Sequence, residues 1–65
     1  MTAAMVALGR AVERARASQG ISQEVLESRC GIDQSIISRF ENGLAPGLRL
    51  DRVAHILAWL GVDHL

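Results

Sequence analysis

Residues 22–43, SQEVLESRCGIDQSIISRFENG, constrain the fold of this 65-residue chain more than any other stretch. They read as two short helices with a glycine turn between them. Ser22 stands where an N-cap is needed for a helix over 23–30, and Glu24 suits the positive end of its dipole. Gly31 follows at once, at the left-handed position that closes a helix. Asp33 can cap a further helix over 34–41, which Asn42-Gly43 terminates. Around that helix Ile37 and Phe40 point one way, with Ile36 on their edge. Gln34, Ser35, Ser38 and Asn42 point the opposite way, and Arg39 flanks them.

On either side the pattern is also helical. Met5, Leu8, Val12 and Ala15 recur at three- and four-residue steps, so residues from about 3 to 18 form an amphipathic helix ended by Gly20. Leu44-Ala45-Pro46-Gly47 is a loop. Leu50, Val53, Leu57 and Leu60 define a fourth helix over about 50–60, stopped by Gly61. The closing Val-Asp-His-Leu could begin a fifth helix but is too short to hold one alone. The expectation is an all-α, compact four- to five-helix domain spanning 1–65, with residues 22–43 at its centre. With 49% hydrophobic residues, one Trp and one Phe, its core must be aliphatic.

Composition removes several classes of function. One cysteine, Cys30, cannot bridge internally, which fits a reducing, cytoplasmic setting. No apolar run approaches the roughly 20 residues of a membrane span. The opening MTAAMVALGR has no basic n-region, so it does not read as a signal peptide. His55 and His64 are isolated from any second ligand at metal spacing, so no metal or cofactor is expected. No serine has a credible histidine–acid pairing, and the chain does not read as an enzyme.

The formal net charge is zero, an awkward value for a binder of phosphate backbones. All seven basic residues are nevertheless arginine: Arg10, Arg14, Arg16, Arg29, Arg39, Arg49 and Arg52. Arginine presents a planar fork suited to phosphates and guanine edges, although a compositional bias would explain the same usage. An exposed polar helix braced by another is a common device for reading the major groove of DNA. On such a helix Gln34 could hold adenine bidentately, and Arg39 could contact guanine or phosphate. Trp59 lies more than a third of a turn from the fourth helix's apolar stripe, beside Ile56. That placement suggests a subunit contact, which Met1, Met5 and Leu65 could complete.

Residues 8–62 resemble the phage-repressor type of helix-turn-helix domain, the Cro/CI or XRE-like family. The carrying pieces are LGRAVERARASQGISQEVL, the turn CGID, then QSIISRFENG and LDRVAHILAWLGV. The resemblance implies that Gln34, Ser35, Ser38 and Arg39 face base edges. It further implies that Gln23 bonds a phosphate and braces Gln34, that Ser22 and Asn42 anchor to the DNA backbone, and that Arg16 and Glu41 form a buried salt bridge. Arg10, Arg14, Arg29, Arg49 and Arg52 are candidates for neutralising phosphates. The function expected is a transcriptional regulator binding an inverted-repeat operator in double-stranded DNA as a homodimer, with Ile56, Trp59 and Leu65 at its interface. Three alternatives stay open: the DNA-binding antitoxin of a toxin–antitoxin pair, with a protein partner; a restriction–modification controller; and the same fold used only for protein contact. The chain departs from the family pattern at Glu27, where alanine is usual. A glutamate there must bend to solvent or find a partner such as Arg39 or Ser35. The loop at 44–47 also lacks the basic residues relatives often carry.

Overall fold

The computed structural model describes residues 3–44 and 47–62. They form four helices: α1 (Ala3–Ser18), α2 (Gln23–Cys30), α3 (Gln34–Glu41) and α4 (Leu50–Trp59). The expected start of a fifth helix is residues 62–65; Val62 is not helical, and 63–65 lie outside the described residues.

Local chemistry accounts for the helix ends. The Ser22 side chain accepts the Val25 backbone N–H at 3.1 Å, occupying a donor that the first turn of α2 would leave unpaired. Asp33 does the same for α3, accepting the Ser35 N–H at 2.8 Å. Between the two helices Gly31 adopts φ 70°, and its N–H donates to the Glu27 carbonyl at 2.8 Å. That left-handed backbone suits a residue with no Cβ, and it turns the chain sharply enough for α3 to cross α2.

The core is aliphatic around one ring. Val12, Leu26, Ile32, Ile37, Phe40, Val53, Ile56, Leu57 and Leu60 are buried, with Met5, Leu8, Ala15, Ile21, Cys30, Leu48, Trp59 and Val62 packed against them. Helix α3 lies between α1 and α2, and α4 closes the other side of both. The Gln19 side-chain amide donates to the Leu60 carbonyl at 2.6 Å and ties the end of α1 to the end of α4.

Two expectations about α4 are corrected. Leu50 is 68% exposed, whereas Ile56 is fully buried. The stripe that meets the core is Val53, Ile56, Leu57 and Leu60, spaced by three, one and three. Leu50, the first residue of α4, lies beyond the edge of the core and covers none of it. Ile56 is therefore a core residue and is unavailable as a subunit contact.

One tight approach is absent from the sequence pattern. Gly9 is buried in α1, and a Cβ there would sit 2.1 Å from the Phe40 carbonyl oxygen. The backbone of α1 thus runs almost against the end of α3, an approach open only to glycine. Gly9→Ala should push the two helices apart and cost about 3 kcal/mol. Urea unfolding would show it as a lower midpoint, and an unchanged midpoint would contradict the close crossing.

Candidate nucleic-acid interface

Helix α3 divides its side chains between a buried face and a polar outer face. Ile37, Phe40 and Glu41 are buried. Ser35, Arg39 and Asn42 are exposed, Gln34 and Ser38 half-buried, and Ile36 is 39% exposed on the flank. The four residues expected to face bases are therefore on the outside of the domain or at its margin, and none is enclosed.

The inward anchor of this helix is Glu41, with no exposed surface. Its two oxygens take Arg16 Nε at 2.8 Å and Arg16 Nη2 at 2.9 Å, a bidentate fork. Oε1 also accepts the Gln23 side-chain amide at 2.9 Å, and Arg16 Nη1 donates to the Ile21 carbonyl at 2.9 Å. Bonding and attraction to Glu41 raise the Arg16 pKa further, while its partial burial opposes them. The carboxylate is thus fully partnered, which a buried charge requires. Gln23 does not brace Gln34 as expected, because its amide is drawn to this buried charge.

Each outward residue has a defined state. Gln34 gives its backbone N–H to Glu27 Oε2 at 3.0 Å. Glu27 thereby finds a partner that neither Arg39 nor Ser35 supplies. The Ser35 hydroxyl donates to Asp33 Oδ1 at 2.6 Å, so its proton is committed while its lone pairs remain. These two bonds from Ser35 hold the Asp33 carboxyl below the ordinary aspartate range. Asn42 donates its side-chain amide to the Ser38 carbonyl at 2.8 Å. Arg39 has no acidic partner among the described residues, since Glu27 and Glu41 are both engaged elsewhere.

Beside α3 a cleft of about 560 Å³ is lined by Ile32, Ile36, Leu44 and Leu48 and carries Arg39, Arg49 and Arg52 together with Asp33. It brings two of the expected phosphate-neutralising arginines next to α3. Arg49 pairs with Asp51 at 3.2 Å, but both side chains are largely exposed, so that pair is weak. Arg10 and Arg14 stand on α1 and do not line the cleft. Arg29 lies 5.6 Å above the Trp59 ring, joining the last turn of α2 to that of α4. Trp59 is half-buried by this contact and by the core. Leu65 and Met1 lie outside the described residues.

Cys30 is free and partly buried, and burial raises its thiol pKa, which makes it a poor nucleophile at neutral pH. Among the described residues no group of three or more His, Cys, Asp or Glu side chains is placed to hold a metal ion. None of the described helices is long and apolar enough to cross a membrane.

Two helices joined by a tight turn, the second with a polar outer face, define a helix-turn-helix protein. The helix-turn-helix domain family matches residues 7–65, and the chain belongs to it. No curated protein and no solved structure matches the chain. Membership points to a DNA-binding regulator, in a family that is typically non-enzymatic.

Sequence reasoning missed Gly9 and the capping role of Glu27. Glu27 carried a signal, since it stood where a small residue is usual. Gly9 carried none.

Glu41→Gln removes the charge that Arg16 faces and should cost about 3 kcal/mol, read as a lower urea midpoint. A melting curve like that of the wild type would make the pair unimportant. The Asp33 cap predicts a pH effect. Its folded pKa is depressed, so its contribution is present above the usual aspartate value of about 4 and is lost as pH falls through the lower folded value. Urea midpoints from about pH 6 to about pH 3 should fall less in Asp33→Asn than in the wild type. Parallel declines would argue against the cap.

Proposed function

We propose that the protein is a sequence-specific, double-stranded DNA-binding transcriptional regulator that acts as a homodimer. Helix α3 would enter the major groove, with Gln34, Ser35, Ser38 and Arg39 toward base edges. Two copies about a two-fold axis would occupy half-sites roughly 34–36 Å apart on an inverted repeat. Control would follow from occupancy, the bound dimer blocking or recruiting polymerase.

One observation carries the reading. Glu41 is locked inward by Arg16 and Gln23, while Arg39, two residues earlier on the same helix, has no acidic partner among the described residues. A planar cation left free on an exposed recognition helix suits a guanine edge or a phosphate. Arg49 and Arg52 across the cleft would add phosphate contacts. Ser22, Asn42 and the N-terminus of α2 would anchor the DNA backbone. The Gln23 side chain is occupied by Glu41, so Gln23 would meet a phosphate through its backbone N–H at the start of α2.

A protein-contact role has one observation in its favour. Leu44 and Leu50 are 66% and 68% exposed at the edge of the same region. As an antitoxin or adaptor the chain would use this apolar edge for a partner.

Selection from a random DNA library should enrich a short inverted repeat. Gln34→Ala and Arg39→Ala should each relax preference at particular base pairs and lose about 1–3 kcal/mol there. If both variants bind the selected site like wild type, the base-reading assignment fails. With Ile56 in the core, Trp59 is the described residue left to test at the interface. Trp59→Ala should sediment as a monomer while still showing a cooperative melt. A dimer of unchanged mass would remove Trp59 from the interface.

A further inference from the structure

We infer that Glu27 determines how well this surface distinguishes its own site from other DNA. It fixes the first turn of α3 and places a negative charge beside Gln34. The inference rests on the DNA-reading role proposed above. Helix α3 begins at Gln34, and Glu27 Oε2 accepts that residue's backbone N–H at 3.0 Å. The next N–H, of Ser35, goes to Asp33 Oδ1 at 2.8 Å. Two carboxylates thus occupy the donors that a helix start otherwise offers to an anion. The start of α2 differs, because its cap is the neutral hydroxyl of Ser22.

The consequence depends on what approaches. A phosphate brought to the start of α3 finds no free N–H at Gln34 or Ser35 and meets two negative charges. A base edge carrying an amino group, such as adenine N6 or cytosine N4, presents a donor and is not repelled. Glu27 therefore penalises arrangements in which the end of α3 rests on backbone and leaves those in which it faces bases. With a formal net charge of zero, the local arrangement of charges matters more than their sum. Arg39 and Arg52, with Arg49 beside its partner Asp51, give the adjoining cleft a pull on phosphates that Asp33 offsets only in part. Asp33 adds a second negative charge at the same helix start and also lines the cleft, so Glu27 supplements a repulsion that Asp33 begins.

The test uses the full chain with Glu27→Gln, which keeps an acceptor for Gln34, and Glu27→Ala, which places there the small residue usual in the family. Each is titrated against the library-selected duplex and an unrelated duplex of equal length, from low to high salt. Both variants should bind the unrelated duplex about three- to ten-fold tighter at low salt, with the gain shrinking as salt rises. The selected duplex should gain no more than about two-fold, so the specificity ratio falls. Glu27→Gln should melt near wild type and Glu27→Ala lower, a split that a capping role alone also gives. The ratio separates the two: if it and its salt dependence match wild type in both variants, Glu27 is only a cap and the inference is overturned. A wild-type chain that binds neither duplex overturns the DNA reading itself, and this inference with it.

Discussion

The buried carboxylate of Glu41 governs how α3 is held. In a domain of this size a fully enclosed charge is costly unless both oxygens find donors. Here the donors come from α1, through Arg16, and from the first residue of α2, through Gln23. The same guanidinium reaches the Ile21 carbonyl in the turn between those helices. One side chain at the end of α3 therefore fixes the relative placement of three helices. Apolar packing alone would not do so, because aliphatic side chains tolerate sliding and rotation that a bidentate fork does not. Placing that fork inside the domain sets which face of α3 turns outward.

The close crossing at Gly9 belongs to the same device. Arginine and glutamate meet because α1 approaches the end of α3 at backbone distance, beside Phe40, one residue from Glu41. The exposed face follows from the buried one. With Ile37, Phe40 and Glu41 inward, the helical repeat puts Ser35, Ser38, Arg39 and Asn42 outward or at the margin. The polar face is in this sense a by-product of an inward pattern that the protein holds rigidly, and rigidity is what the proposed reading of base edges requires.

Much of this was legible in the residues. Helix limits could be read because Ser22, Gly31, Asp33 and Asn42-Gly43 act locally, through bonds to backbone groups a few positions away. The Arg16–Glu41 pair came from resemblance, since nothing in spacing alone joins two residues that far apart in the chain. Leu50 and Ile56 were misplaced for a geometric reason: a stripe through 50, 53, 57 and 60 and one through 53, 56, 57 and 60 differ by a small rotation. Only the neighbouring helices decide between them. Gly9 was invisible because an approach between two backbones leaves no mark in hydropathy. Glu27 drew notice as an oddity, but its partner is a main-chain N–H, and every sequence position except proline carries one.

These features divide the charged groups around α3 into an inner and an outer set. The inner set, Arg16 with Glu41, is partnered and enclosed, so salt has little access to it. The outer set comprises Glu27 and Asp33 at the start of α3 and Arg39, Arg49 and Arg52 beside the cleft. These groups face solvent wholly or in part, so their influence on a charged partner varies with ionic strength. A domain built this way can keep one orientation of α3 across salt concentrations while its attraction for phosphates changes. Asp33 lines the same cleft as the three arginines, so repulsive and attractive charges meet an approaching duplex side by side at the start of α3. With a net charge of zero, it is this arrangement, and not the total, that would decide where the protein rests on DNA.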